Sequence, residues 1–276
     1  MLTIIQNTFR EALAKKIFIG YYIFYAIVIL FMFFAANTDS IQGVMALADA
    51  KQAVTFVETG FLAIAFPLIL FFSLISTSSF FPSMLEKGTI DLMISKPISR
   101  FNILLSKYLG AVLFVFASMV FLFGSIWLIL SAKSGYWDVT FLFSIITMTL
   151  AFAVMYSIVI LISILTQSTI VSILVNFFLI FVLCPILSSR EIIIFPLIQN
   201  ETVQFIFNFF YYIFPKPGEI KDITISILSE QPLNFWKTTA GENMQMTSAW
   251  MSMISSVIFC ITITAASIYY FSKKDY

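Results

Sequence analysis

Six stretches, at about residues 17–36, 56–81, 108–131, 139–165, 169–187 and 250–271, are apolar along their length and keep Asp, Glu, Lys and Arg out of their interiors. Nothing else in the sequence restricts the fold as much. About 20 apolar residues in a helix cross the ~30 Å hydrocarbon core of a bilayer. Inside that core each backbone N–H and C=O needs a protein partner, and a helix supplies one within the segment. The sequence therefore reads as all-α: a polytopic membrane protein with six transmembrane helices in a single domain over residues 1–276. Composition speaks against a soluble alternative. Hydrophobic residues make up 61% and charged residues 11%, against about half and a quarter in soluble domains. Too few polar groups remain to cover a water-facing surface. Lipid can face the surplus, including the 33 phenylalanines.

The segments between the spans set the topology. Residues 1–16 place Leu2, Ile5, Phe9 and Leu13 on one helical face, with Gln6, Asn7, Arg10, Glu11 and Lys15 elsewhere. An N-terminal amphipathic helix of this kind lies in the headgroup plane of the cytoplasmic leaflet. The first span is too long for the apolar part of a cleaved signal, and no small-residue cleavage site follows it. Residues 37–55 form the first outer loop, and Pro67 offers a kink site in the second span. Thr166, Gln167 and Ser168 alone separate the fourth and fifth spans, which makes these antiparallel neighbours. Residues 188–249 form a long outer loop. Its apolar runs 192–198 and 205–214 are too short to span, and Pro196, Pro215, Pro217 and Pro232 break it up. Two readings stay open for it: short helices that dip into the outer leaflet or cap a cavity, and a folded loop on the surface. Arg10, Lys15, Lys16, Lys87, Lys96, Arg100, Lys107, Lys273 and Lys274 fall on one side of the membrane. The short loops of the other side hold only Lys51 and Lys133. The basic side is the cytoplasmic one, so both termini are expected in the cytoplasm, with the chain in the inner membrane.

Several function classes are disfavoured. The sequence has no histidine, which removes Ser-His-Asp and Cys-His catalysis, His-ligated zinc and histidine proton relays. Cys184 and Cys260 lie in apolar runs and read as small core or lipid-facing residues. With Glu58 at the edge of the second span, no ionisable group lies well inside a span, which argues against proton-driven transport and intramembrane hydrolysis. Ser73, Ser125, Ser157, Ser163, Asn176, Thr262 and Thr264 are expected to tie helices together. The net charge of +1 offers no field for nucleic acid. No phosphate-binding loop is present, since Lys237-Thr238 lacks preceding glycines. Any ATP chemistry must come from another chain.

Residues 82–107, between the second and third spans, carry the most specific pattern. Pro97 ends a short helix at the residue before it. Ser99 is then placed to N-cap the helix that becomes the third span. The product is a compact, charged elbow on the cytoplasmic face, suited to docking a soluble partner. Glu86, Gly88, Thr89, Asp91, Pro97, Ser99, Arg100 and Lys107 stand in a pattern that resembles the cytoplasmic loop of type-2 ATP-binding-cassette (ABC) permeases, the membrane subunits of ABC exporters. Tyr270-Phe271 followed by Lys273-Lys274-Asp275, and Tyr211-Tyr212-Ile213-Phe214-Pro215, are similar in placement to features of that family.

The resemblance implies a six-helix permease that pairs with a second copy, or with a close homologue. It implies that the elbow is a coupling helix seated in a separate ABC ATPase subunit. Glu86, Gly88, Thr89, Asp91, Pro97, Ser99 and Arg100 would then be the ATPase-coupling residues. Glu86, Asp91 and Arg100 would be salt-bridge candidates, Gly88 would permit close approach, and Pro97 would set the bend. The chain would not be an enzyme and would hold no cofactor, with ATP and magnesium on the ATPase. A hydrophobic or amphipathic substrate would be exported. Two alternatives remain: an ATPase-independent six-helix channel or facilitator, and an integral membrane enzyme that modifies lipids.

Overall fold

The structure, a computed structural model, describes residues 2–14, 16–35, 50–85, 99–198, 200–229 and 246–273. Helix α1 spans Leu2–Ala14 and α2 Lys16–Ala35. Helix α3 spans Ala50–Ser78 and is followed by a 3-10 turn at Pro82–Met84. Helix α4 is Arg100–Ser134, and a 3-10 turn at Val139–Leu142 leads into α5, Phe143–Thr166. Helix α6 covers Thr169–Ser188 with a π turn at Leu179–Leu183. Then come α7, Glu201–Ile213, α8, Pro217–Ser229, and α9, Met246–Lys273. Among the described residues α3, α4, α5, α6 and α9 are long and apolar enough to cross a membrane. The first expected span is represented by the shorter apolar helix Ile19–Ala35.

Local chemistry explains the helix ends. Ser99 has extended backbone, and its hydroxyl accepts from the Asn102 N–H at 3.3 Å. At the other end of α4, Gly135 has φ +72 and donates its N–H to the Ser131 carbonyl, a left-handed cap for which glycine carries no Cβ penalty. Asp138 accepts from the Thr140 N–H at 2.9 Å and starts the next segment. The α5–α6 connection is equally sharp. Gln167 ends α5 with φ +54, and Ser168 caps α6 through the Val171 N–H. Pro67 does not interrupt α3.

Helix α5 is the centre of the bundle and packs on α3, α4, α6, α8 and α9. Its membrane stretch is 67% buried within the chain, against 17% for α9. Ser144, Thr147, Ala151 and Ser157 are buried along α5, and small side chains let backbones approach closely where lipid offers no hydrophobic drive between helices. Some of the mild polar residues do join helices. Ser73 meets the Tyr21 hydroxyl at 3.0 Å, and Ser163 meets Ser172 at 3.1 Å. Others bond their own helix: Ser125, Ser157 and Thr262 donate to carbonyls three or four residues back. Asn176 does the same toward Ser172, leaving its buried Oδ1 without a partner, so the interhelical bond expected of it is not formed.

Two polar segments lie deeper in the bundle than their polarity suggests. Helix α3 begins at Ala50, so Glu58 lies two turns inside it and is buried, with Oε2 unpartnered. Polar Lys51, Gln52 and Thr55, which precede it, are themselves helical. Within 188–249, α8 does not lie on the surface. Its Ile220, Ile223, Thr224 and Leu228 are buried among α3, α5 and α9. Thr224 shares a 2.6 Å hydrogen bond with Thr147 of α5. Ile220, Ile223, Thr224 and Leu228 recur at helical spacing, which gives α8 an apolar face that water would not accommodate.

Candidate functional site

The end of the bundle that carries the elbow is assembled from four helix ends. Glu86, Gly88, Thr89, Asp91 and Pro97 lie outside the described residues. Ser99 and Arg100 are described and open α4. A cation at the first position of a helix opposes that helix's own dipole. Arg100 is turned elsewhere: its Nη1 donates to the carbonyl oxygens of Phe271 and Ser272, each at 3.2 Å. These carbonyls belong to the last turn of α9. A cation is favourable there. The Phe271 ring is buried and meets Phe81 edge-on, with centroids 6.1 Å apart. The residue expected to face an ATPase thus also holds the C-terminal helix of its own chain.

Lys107 lies two turns further along α4. Its side chain is 3% exposed, and Nζ pairs with Glu11 Oε2 of α1 at 2.5 Å. The other Glu11 oxygen accepts from the Ser83 hydroxyl at 2.7 Å. One carboxylate therefore ties α1 to the start of α4 and to the turn after α3. One helical turn back from Glu11, buried Thr8 faces Gly110, where an added Cβ would fall 3.0 Å from the Thr8 Cβ. Phe9 meets Phe114 edge-on at 6.0 Å. The face of α1 that packs against the bundle runs through Ile4, Thr8 and Glu11 with Phe9 on its flank. Of the Leu2, Ile5, Phe9, Leu13 stripe, Phe9 packs on the bundle, and the side chains of Leu2 and Leu13 lie outside the described ones. In α4, Gly110 leaves a notch that admits only a small side chain, and Lys107 demands an anion.

The opposite end of the bundle holds a second buried polar group that sequence reading missed. Arg190 is 5% exposed. It donates to Asn208 Oδ1 and Glu191 Oε1, both at 2.8 Å, and its guanidinium lies 3.4 Å from the Tyr211 ring centroid. Lys216 Nζ lies 4.4 Å from the same centroid and donates to Ser255 of α9 at 2.8 Å. Glu219, at the start of α8, accepts from the Tyr211 hydroxyl at 2.7 and 2.8 Å and from Ser252. Burial, with the Glu219 charge acting the same way, pushes the Tyr211 phenol well above its ordinary range. Burial lowers Lys216 from its ordinary value; Glu219 opposes this and Arg190 adds to it. The available signal was the tyrosine pair before Pro215 with Lys216 beside it. Nothing in the sequence marked Ser252, Ser255 and Ser256 as their partners.

Among the described residues no group of three His, Cys, Asp or Glu could hold a metal ion. Both clusters instead join helix ends across the bundle, which is a mechanical arrangement. The sequence model of the family described as ABC-2 family transporter protein matches residues 2–276. No curated protein matches the chain.

Proposed function

Because the chain belongs to the ABC-2 family of transporter proteins, we propose that two copies of it, or one copy and a close homologue, form the translocation path of an ABC exporter, driven by an ATPase subunit that docks on residues 82–107. Membrane subunits of this family have no catalytic activity, and they generally pair with an ATPase subunit. ATP and magnesium accordingly belong to that partner. The observation that carries the docking reading is the convergence of helix ends around the elbow. Leu85, before it, and Ser99, after it, adjoin the turn after α3, the start of α4, α1 through Glu11, and the end of α9 through Arg100. A force applied between Leu85 and Ser99 reaches all four at once.

In this reading Glu86 and Asp91 pair with cations on the ATPase, Gly88 and Thr89 allow close approach, and Pro97 sets the bend before Ser99 caps α4. A hydrophobic or amphipathic substrate is compatible with the faces left exposed, which lipid can equally cover. Helix α2 presents Ile19, Ile23, Ile27, Leu30 and Phe34, and α9 presents Ile254, Ile258 and Ile261. A path built from such faces would offer no charge to compensate a charged cargo.

Co-purification tests the proposal. The chain is co-expressed with the ABC ATPase encoded nearest to it, extracted in mild detergent and captured by a C-terminal tag. Wild type is expected to bring the ATPase with it, and Glu86→Lys and Asp91→Lys are expected to lose it while eluting as folded protein. An ATPase that stays bound to both variants would place the docking surface elsewhere. No ATPase on folded wild type would favour a channel.

A further inference from the structure

We propose that α9 is a transmission element joining the elbow to the buried helix α8 on the opposite side of the bundle, with Arg100 as the positioning residue that fastens its cytoplasmic end. The inference rests on the permease reading.

Directional contacts hold α9 at both of its ends. At the elbow end Arg100 binds the carbonyls of Phe271 and Ser272, and Phe271 packs on Phe81. About 25 Å away along the helix axis, Ser252 donates to Glu219, the Ser256 hydroxyl accepts the Lys216 N–H at 3.1 Å, and Ser255 accepts Lys216 Nζ at 2.8 Å. Lys216 and Glu219 flank the first turn of α8, so three serines of α9 grip the end of that helix. Between the ends α9 lies along α5, and only 17% of its membrane stretch is buried. The polar contact there is the Tyr108–Cys260 pair at 3.1 Å, with Cys260 reaching the Ala153 carbonyl at 3.8 Å.

Apolar contact is non-directional and allows a helix to shift along its neighbour. Hydrogen bonds at the ends do not. A helix is stiff along its axis because each residue is bonded to the one four back. A displacement of Arg100 is therefore delivered to Lys216 and Glu219. Arg100 would serve α4 poorly as a helix-starting residue, and its guanidinium reaches the end of α9.

The test uses the chain in complex with its ATPase, reconstituted in lipid nanodiscs. A reporter cysteine replaces Gly218, which is exposed on α8 and where an added Cβ meets no atom within 4 Å. Cys184 and Cys260 are replaced by alanine. Maleimide labelling is timed without nucleotide and with ATP plus vanadate, after the amount of bound ATPase has been measured. The expected result is a change of severalfold in labelling rate on nucleotide trapping in the reporter background. Arg100→Met should reduce that change to less than twofold, counted per ATPase bound, with the ATP KM unaltered. Arg100→Lys, which can still donate to the carbonyls, should retain most of it. Ser255→Ala, at the far end, should weaken it without touching the elbow.

A full nucleotide response in Arg100→Met would overturn the inference. So would loss of the ATPase from Arg100→Met, which would make Arg100 a docking contact, and so would a reporter background that binds ATPase but shows no response. A reporter background that binds no ATPase removes the permease reading and this inference together. The binding measurement, taken before nucleotide is added, separates that failure from the others.

Discussion

Glu11 uses its two carboxylate oxygens on two different segments, Oε2 on Lys107 and Oε1 on Ser83. The pair is asymmetric: the lysine side chain is 3% exposed and the glutamate 26%. Removing one partner of a buried pair leaves the other charge uncompensated, at about 3 kcal/mol when burial is complete. Glu11→Gln strands the ammonium and should cost about that much. Lys107→Met leaves a carboxylate with Ser83 and access to solvent, and should cost about 1 kcal/mol. Thermal unfolding of the two variants and of the double variant should show a coupling of about 1–3 kcal/mol; equal and additive losses would deny the pair its role. Gly110 is the other residue-scale constraint. Gly110→Ala sets a Cβ 3.0 Å from Thr8 and should cost about 1–3 kcal/mol by overpacking. The strain is relieved by α1 lifting off α4, so trypsin should cut after exposed Arg10 several times faster than in wild type; an unchanged rate would mean that α4 yields instead. At this end of the bundle the contact of Ser99 was legible in the sequence, because an N-cap depends on its own next three residues. The partners of Arg100 and Lys107 lie far away along the chain, and no local rule reaches them.

At the scale of elements, span helices announce themselves by length and apolarity, and the chain's α3, α4, α5, α6 and α9 were legible for that reason. Helix α8 was not. Its 13 residues are too few to signal a membrane element, and Glu219, Lys221 and Asp222 give it a polar look. Its burial depends on Tyr211, Ser252, Ser255 and Ser256, which come from two other helices. Glu219→Ala should therefore unseat α8. It deprives Tyr211 and Ser252 of their acceptor and removes the anion that acts on Lys216, at about 3 kcal/mol. The ATPase should still co-purify, since the elbow is at the other end, while transport is lost; release of the ATPase would contradict this separation of ends. Lys216 adds a pH signature. Its native pKa is lowered, chiefly by burial, whereas in the unfolded chain it titrates at its ordinary value. Between those two values the unfolded state holds more protons, so stability rises with pH. Melting temperatures measured from about pH 8 to 10 should therefore improve for wild type relative to Lys216→Met as pH rises. A constant difference would show that the lysine is solvated.

For the whole molecule, the contacts of Glu11 and Arg100 place the first helix and the last turn of α9 at one end of the bundle, beside the elbow. The Lys216, Glu219 and Tyr211 cluster lies at the other. We propose from charge that the elbow end faces the cytoplasm. Along the chain Lys87, Lys96, Arg100 and Lys107 lie in the elbow segment and Lys273 and Lys274 follow the last span, whereas Lys51 and Lys133 are the basic residues of the short loops opposite. Basic residues are retained on the cytoplasmic side, and an ATPase has its ATP only there. Both conditions choose the same orientation, although they are independent of each other. Single cysteines at Ser99 and Thr202, both exposed, make the choice measurable in a background without Cys184 and Cys260. In intact cells a membrane-impermeant maleimide should label Thr202→Cys and spare Ser99→Cys, and in inverted vesicles the pattern should reverse. The opposite result would put the elbow outside the cell, out of reach of any nucleotide-driven partner. The docking proposal would then fail, and with it the route from the elbow through Arg100 and α9 to α8. Labelling of both sites in intact cells would instead point to two orientations in one population, which so uneven a distribution of Lys and Arg argues against.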